Sequence, residues 1–499
     1  MKIIVAYPPL NNEKGYPTLG QNRQFQFFKE PTYIYPVVPA QAASLLKREG
    51  YDVVWLDGIA QGLSYAEFFA ILAKENPDLI AFETKTPVVK QHWKIIDDIK
   101  ERFSGRAVPK IVLFGDHVTA LPEESFQNSK VDCVITGGDY DFLLLNLCNA
   151  IKRTGAVSGS GLEPGIYYRD NGQIKNTGKF KLEHNLDSLP FIDRDLTKWQ
   201  LYAFKNGNYK KTPGTYIMSG RDCWWGKCTF CSWTTTYPSF RARSVNNVLD
   251  EIGSLINDYG VKEIMDDSGT FPTGGWLVDF CNGMIDRGYH KKISIDCNMR
   301  FGAVSKESYA LMKKANFRLL LFGLESANQK TLDRVNKNLK IEDVIEGCRL
   351  ARNAGLYPHI TIMFGYPWET YEDALKTLKL GQWLLRKGYA YTMQATVVIP
   401  YPGTPLFEEC KTNGWLNSLN WQEYDMKHPV MRTDISEEKI MELVQGMYKV
   451  SFQPEFVLRK IFSIKDADDL KYLFRAAKKV FGHIFDFKAK QKYNKGACL

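Results

Sequence analysis

Apolar residues recur along the first 150 positions in two alternating rhythms. Short apolar runs read as buried strands: Ile3–Tyr7, Asp52–Leu56, Leu79–Phe82, Lys110–Phe114 and Cys133–Ile135. Between them, apolar positions fall at helical spacing over Ala40–Glu49, Tyr65–Lys74, Val88–Phe103, Pro122–Asn128 and Phe142–Arg153. Strands alternating with helices in this way predict a doubly wound parallel sheet. In such sheets ligands sit beyond the carboxyl ends of the strands. Those ends carry Tyr7-Pro8-Pro9, Thr84-Lys85-Thr86, Gly115-Asp116-His117-Val118-Thr119 and Thr136-Gly137-Gly138-Asp139. Small and hydroxyl-bearing residues there let a backbone approach a ligand. No Gly-x-Gly-x-x-Gly follows the first strand, which disfavours a dinucleotide site.

A second alternation starts at Gly214. Its expected strands are Thr215–Met218, Glu263–Met265, Ile293–Asp296, Leu319–Phe322, His359–Phe364 and Thr392–Ile399, with helices such as Val245–Asn257, Gly275–Arg287, Lys306–Ala315, Ile341–Ala354 and Ala374–Lys387 between them. Six parallel strands predict a partial (β/α)6 barrel with its chemistry at the carboxyl ends of the strands. The stretch between the two patterns is rich in Gly, Asn, Asp and Ser and holds one expected hairpin, Gly165–Tyr168, turning at Asp170-Asn171-Gly172. The expected organisation is an α/β chain: a sheet domain over 1–153, a linker over 154–199, a barrel over 200–410 and a helical C-terminal region over 411–499.

Length agrees with several cores, since 499 residues at roughly 150 per domain give about three. No run reaches the roughly 18 apolar residues that a membrane span needs. The opening Met1-Lys2-Ile3-Ile4-Val5-Ala6-Tyr7-Pro8-Pro9 reads as a strand rather than a secretory leader, so a soluble, cytoplasmic protein is expected. The net charge of +9 is concentrated at the C-terminus: from Lys471 to Leu499 eight Lys or Arg face one acid, Asp486. The body is nearly neutral, which argues against a nucleic-acid-binding face. In the tail, Tyr472, Leu473, Phe474, Val480, Phe481, Ile484, Phe485 and Phe487 alternate with Lys478, Lys479, Lys488, Lys490 and Lys492. That pattern suits either a basic amphipathic helix resting on anionic lipid or a closing helix packed on the barrel.

Ten cysteines in such a chain do not suggest a disulfide scaffold. Seven are scattered and suit buried packing. The other three lie in Gly220-Arg221-Asp222-Cys223-Trp224-Trp225-Gly226-Lys227-Cys228-Thr229-Phe230-Cys231-Ser232-Trp233, spaced C-x4-C-x2-C after the first barrel strand. Three thiolates on one short loop can converge on a metal centre. A structural zinc would want a fourth ligand, and neither a second C-x2-C nor a His within the next fifty residues supplies one. An iron–sulfur cluster with one open iron fits the count better than zinc or simple burial.

With that loop, the sequence resembles the cobalamin-binding branch of the radical S-adenosylmethionine superfamily, whose usual loop is one residue shorter. Further matches fall in order at the barrel strand ends: Met265-Asp266-Asp267-Ser268-Gly269-Thr270-Phe271, Cys297-Asn298-Met299-Arg300, Gly323-Leu324-Glu325-Ser326, Phe364-Gly365-Tyr366-Pro367-Trp368-Glu369-Thr370 and Pro400-Tyr401-Pro402-Gly403-Thr404-Pro405. The resemblance implies that Cys223, Cys228 and Cys231 hold a [4Fe–4S] cluster whose open iron chelates S-adenosylmethionine for reductive cleavage to a 5′-deoxyadenosyl radical. It places Phe230 near the adenine, Asp267 at the methionine amino group, and Arg300, Glu325 and Ser326 at the carboxylate and ribose. Trp224 and Trp225 would shield the cluster.

Phe114-Gly115-Asp116-His117-Val118-Thr119-Ala120-Leu121-Pro122-Glu123 resembles the GGPHxTxxPE stretch of the branch's cobalamin-binding domains, departing at Phe114 and Asp116. The resemblance thus implies cobalamin over 1–153, contacted by Thr84, Thr86, Gly115, His117, Thr119 and Gly137. The Asp-x-His-x-x-Gly signature is absent, so a cobalamin without a histidine lower ligand is expected, with His117 a satisfied loop histidine. The reaction implied is C-methylation, or cyclisation or rearrangement, at an unactivated carbon, under anaerobic conditions. Cys228–Ser244 and Phe452–Lys460 are similar to the subgroup acting on hopanoid lipids and porphyrin esters, so a hydrophobic small-molecule substrate is expected. Alternatives are C-methylation of a ribosomal peptide and a non-catalytic iron–sulfur and cobalamin sensor. Reduced ferredoxin or flavodoxin is the implied electron donor.

Overall fold

A computed structural model describes residues 1–10, 13–18, 26–105, 107–157, 159, 161–464 and 466–486 of the chain. Two sheets dominate it. The first has seven strands in the order Asp52–Asp57, Lys2–Tyr7, Leu79–Glu83, Lys110–Phe114, Cys133–Ile135, Ile166–Asp170, Gln173–Asn176. Its first five strands are parallel, with Ile3 opposite both Val53 and Leu79. Residues Leu79–Glu83 are buried throughout, which is why these strands appear as unbroken apolar runs: helices cover both faces.

The connector is less of a free linker than its composition suggests. Its hairpin forms, and it extends the sheet antiparallel, with Cys133 opposite Tyr168 and Tyr168 opposite Lys175. Cys133–Ile135 is only three residues long, and the hairpin satisfies the row of backbone groups that this edge would otherwise leave open.

The second sheet has six parallel strands in chain order: Gly214–Ile217, Glu263–Asp266, Ser294–Met299, Phe317–Glu325, Tyr357–Phe364 and Thr392–Val397. Its two end strands do not pair with each other, so it is a partial barrel. Near the amino-terminal ends of its strands, Arg318 pairs with Glu263 Oε1 at 2.8 Å and with Asp296, locking three neighbouring strands with buried charge. Arg318 also faces the ring of Tyr472 at 5.8 Å.

Tyr472 belongs to the helix Ala467–Asp486 and is buried, whereas Phe474 on the same helix is 76% exposed. The helix expected in the tail is therefore present and is anchored to the body through Tyr472, through Asp469 paired with Lys210, and through Arg475, which donates to Tyr209 O and Lys210 O. The side chains of Lys479, Val480, Phe481, Ile484 and Phe485, and all of Phe487, Lys488, Lys490 and Lys492, lie outside the described residues. Among the described residues no helix is long and apolar enough to cross a membrane.

Candidate functional site

The concave side of the barrel sheet encloses a chamber of about 660 Å3. Many of its wall residues lie two apart along a strand: Leu321, Gly323 and Glu325 on one, His359, Thr361 and Met363 on the next, Thr392 and Gln394 on the last, with Phe322 and Met393 reaching it as well. Side chains on a strand point alternately to its two faces, so this spacing is the inner face of the barrel. Helices Pro454–Phe462 and Ala467–Asp486 contribute Phe456, Val457, Lys460, Tyr472 and Leu473 to the wall.

All three clustered cysteines reach this chamber and are partly buried. Their loop is tied down from several sides. Thr229 N–H donates to Val335 O at 3.0 Å, Leu406 N–H donates to Thr229 O at 2.9 Å, and Trp225 Nε1 donates to Asn336 O at 2.9 Å. Cys223 Sγ lies 3.1 Å from Thr270 Oγ1. Burial pushes the Cys228 thiol up, while the Lys337 and Arg300 cations pull it down. Among the described residues no three His, Cys, Asp or Glu side chains are gathered closely enough to hold one metal ion. A single zinc with sulfur bonds of about 2.3 Å needs such closeness; a multi-iron cluster takes each thiolate on a separate iron and spreads them further. Three thiols of one loop reaching one chamber are a donor set that suits an iron–sulfur cluster.

Of the expected S-adenosylmethionine contacts, Phe230, Asp267, Arg300 and Glu325 line the same chamber. Arg300 donates to Lys337 O at 2.5 Å, and its guanidinium lies 4.7 Å from the Trp225 ring centre and 5.7 Å from that of Trp224. The tryptophans thus position this cation as well as flanking the loop. Glu325 pairs with Lys337 Nζ at 2.6 Å. Gly323 makes room for that pair, since a Cβ there would fall 2.1 Å from Glu325 Oε1. Ser326 does not line the chamber; its Oγ donates to Glu369 Oε1 at 2.6 Å and accepts from Asn328 N–H at 3.0 Å. Its role is to hold the turn after Glu325.

Two groups escaped the sequence analysis. Lys337 lines the chamber beside Cys228 from the far end of an irregular turn, where no motif marks it. Arg221, two residues before Cys223, is fully buried and bonds Asp141 Oδ1 at 3.0 Å, Asp139 Oδ1 at 3.1 Å and Gln41 Oε1 at 2.8 Å. Arg241 and His184 also reach Asp139. Burial opposes its ionisation, but His184, Arg221 and Arg241 hold the Asp139 carboxyl far below the usual carboxylate range. This network joins the cysteine loop to the first sheet. Its only sequence signal was Asp139 at a strand end.

The six residues expected at cobalamin do not reach the chamber. Thr84 Oγ1 bonds His92 Nδ1 at 2.8 Å; Thr86 Oγ1 bonds His117 Nδ1 at 3.1 Å; Thr119 Oγ1 donates to Gly115 O and accepts from Gly137 N–H. The second nitrogen of His117 lies 3.1 Å from Glu124, and the Trp421 ring meets its edge at 5.4 Å. His117 is thus a buried histidine with both ring nitrogens bonded. Gly115, at φ +124°, serves a close backbone approach: a Cβ would sit 2.3 Å from Thr84 O. The space over Gly137 is filled by Phe180.

Comparison with known proteins agrees with the barrel's chemistry. Residues 217–381 match the Radical SAM superfamily. An uncharacterized methyltransferase of Pyrococcus horikoshii is 28% identical over 473 residues, covering 93% of this chain and 95% of the relative. An anaerobic magnesium-protoporphyrin IX monomethyl ester cyclase of Cereibacter sphaeroides is 26% identical over 426 residues, covering 83% of this chain and 66% of that one. Among solved structures, the cobalamin-dependent S-adenosylmethionine radical enzyme OxsB, with aqua-cobalamin and S-adenosylmethionine bound, aligns with a TM-score of 0.70 at 16% identity, over 97% of this chain and 71% of its own. The radical S-adenosylmethionine methyltransferase TsrM of Kitasatospora setae, with cobalamin and a [4Fe–4S] cluster bound, aligns with a TM-score of 0.66 at 14% identity, over 96% and 99%.

Proposed function

We propose that this chain, whose residues 217–381 match the Radical SAM superfamily and which shares the fold of cobalamin-dependent members, is a radical S-adenosylmethionine enzyme that modifies an unactivated carbon of a hydrophobic small molecule, by methylation or by cyclisation or rearrangement. The observation that carries this reading is the meeting of three thiols with Asp267, Arg300 and Glu325 at one end of one chamber. When bound, a [4Fe–4S] cluster on Cys223, Cys228 and Cys231 with S-adenosylmethionine supplies the electron that cleaves the sulfonium and the 5′-deoxyadenosyl radical that results.

This chain's residues bind, orient and exclude water. A zwitterionic amino acid needs an anion near its ammonium and a guanidinium near its carboxylate, and Asp267 and Arg300 supply the two. Arg300 is held by Lys337 O and the paired tryptophans, so its donors are fixed before the ligand arrives. Phe230 offers a flat apolar face for adenine, and Lys337 holds the Glu325 carboxylate in place through their 2.6 Å pair. Ser326 acts through the turn rather than by contact. The rest of the chamber, walled by Phe456, Val457, Tyr472 and Leu473 with His359, Thr361 and Gln394 opposite, suits an apolar body bearing a few polar groups. A cobalamin would be held at the strand ends of the first sheet by Thr84, Thr86, Gly115, His117, Thr119 and Gly137, without a histidine as lower ligand, and would supply the methyl group where the outcome is methylation. The partners on this reading are a one-electron donor of the ferredoxin or flavodoxin class, the hydrophobic substrate, and a membrane at the periphery.

The test is anoxic reconstitution with iron and sulfide, followed by S-adenosylmethionine and dithionite. The reading expects bound iron and 5′-deoxyadenosine, both lost in Cys223→Ala, Cys228→Ala and Cys231→Ala. A reconstituted cluster that forms no 5′-deoxyadenosine favours a sensor and refutes the enzyme. S-adenosylhomocysteine alongside 5′-deoxyadenosine marks methylation; 5′-deoxyadenosine alone marks cyclisation or rearrangement.

A further inference from the structure

The chamber carries a second group of polar side chains, away from the thiols. On the strand Phe317–Glu325, Leu321 lies four residues before Glu325; it faces His359 on the next strand, and His359 faces Thr392 on the last. At about 3.3 Å per residue that row sits roughly 13 Å from the Glu325 end. One row nearer the thiols, Gly323 faces Thr361 and Thr361 faces Gln394. The helix Pro454–Phe462 brings Lys460 to the same place, where its Nζ donates at 2.8 Å to the carbonyl oxygen of Tyr391, the residue before Thr392. His359, Gln394 and Lys460 all line the chamber.

The fold leaves part of their bonding capacity unused. His359 is 7% exposed; its Nδ1 lies 2.9 Å from Thr392 Oγ1, while its buried Nε2 has no hydrogen-bond partner among the described residues. Among the same residues the Gln394 amide makes no hydrogen bond. Burial and the cations Arg352, Arg459 and Arg318 hold the Lys460 ammonium well below the usual lysine range. Arg318 already has Glu263 and Asp296. Arg352 and Arg459 donate to backbone carbonyls, and among the described residues no carboxylate pairs with either of them or with Lys460. An amine enclosed among cations without a counter-ion is unfavourable until an anion arrives. At the thiol end, by contrast, Lys337 has Glu325.

We propose that Lys460, Gln394 and His359 form a substrate anchor, a subsite for the acidic oxygens of a carboxylate or phosphate monoester borne by an otherwise apolar molecule. The ammonium supplies charge, and the amide and the imidazole supply directed donors: Thr392 Oγ1 donates to Nδ1, which leaves the ring proton on Nε2. Phe456, Val457, Ile461 and Leu473 give the apolar body its contact. With the acidic group held roughly 13 Å from Glu325, the carbon that reacts is selected by its distance from that group. The anchor specifies the substrate of the proposed reaction and to that extent rests on it; the anion binding stands on the wall residues alone.

The experiment is isothermal titration calorimetry of the full-length, reconstituted protein with octanoate, octyl phosphate and octanol. Wild type is expected to bind one equivalent of at least one of the two acids about tenfold or more tightly than octanol, and the tighter acid names the group the anchor takes. Lys460→Met should bring the acids within about twofold of octanol, Gln394→Leu should shrink the preference, and Lys460→Arg should keep it. Bound iron and thermal melting report whether each variant has folded; should Lys460→Met fail there, Gln394→Leu carries the test. Octanol binding as tightly as both acids, or no binding of any of the three, overturns the anchor. So does an acid preference that survives in folded Lys460→Met and Gln394→Leu, since the acids then bind elsewhere. Wild type that shows the Lys460-dependent preference but forms no 5′-deoxyadenosine with S-adenosylmethionine and dithionite keeps the anchor and refutes the catalytic reading. Wild type that forms 5′-deoxyadenosine without the preference does the reverse, so the two failures are distinguishable.

Discussion

Replacing Arg221 by Met tests whether the cysteine loop is held by the first sheet. The side chain is 2% exposed and spends three hydrogen bonds on the carboxylates of Asp139 and Asp141 and a fourth on Gln41. Asp139 would keep Arg241 and His184. Asp141, itself fully buried, has no second ion-pair partner among the described residues and would become an uncompensated interior charge. Breaking a buried pair in this way costs about 3–5 kcal/mol. At about 1.4 kcal/mol per factor of ten, local opening becomes roughly a hundredfold to several thousandfold more frequent. A chain of several domains does not unfold in one step, so the assay is amide hydrogen exchange, read at Gly220 and Arg243, whose N–H groups bond Ser268 Oγ and Ser219 O. Iron retention after gel filtration should fall in parallel, since Cys223 lies two residues away. Arg221→Met combined with Asp141→Leu leaves no orphaned charge opposite the missing guanidinium and should recover most of the protection. Wild-type exchange in the single variant, or a double variant no better than the single, would refute the reasoning.

Other expectations follow from the same geometry. Burial depresses the His184 imidazole, but hydrogen bonds to Asp139 and Glu163 prevail and raise it from 6.5 to about 9. Its folded value lies above its unfolded one, so its contribution is complete below about pH 6.5 and lost as pH rises through about 9; His184→Gln should flatten that part of a Tm-against-pH curve. Gly115→Ala sets a Cβ against Thr84 O at positive φ and should cost at least about 3 kcal/mol, whereas Gly50→Ala, at φ +83° with open space around it, should cost about 1 kcal/mol in thermal unfolding. Lys337→Met leaves the Glu325 carboxylate without its 2.6 Å partner. It should raise the S-adenosylmethionine concentration for half-maximal 5′-deoxyadenosine formation about tenfold to a hundredfold, with bound iron unchanged.

What could be read without coordinates were the features carried by neighbours in the chain. Strand runs and helix spacing follow from periods of two and 3.6, and the thiol loop declares itself because its three donors lie within nine residues. Phe230, Asp267, Arg300 and Glu325 were legible because each ends a barrel strand or sits in the loop, and parallel strands deliver their ends to one side. Packing decided the rest. Ser326 adjoins Glu325, yet it follows the strand's end, after a left-handed residue at φ +65°, and spends its hydroxyl on Glu369. Thr86 and His117 are 31 residues apart and Arg221 and Asp141 are 80 apart; no local pattern says that such groups will spend their hydrogen bonds on each other rather than on a ligand. How much of the two C-terminal helices stays exposed depends on which stripe of them the barrel covers. Local periodicity determines where elements form and which ends carry chemistry. The pairing of buried charges and the faces left to solvent are set by long-range contacts, because each is a competition among partners that only the folded chain brings within reach.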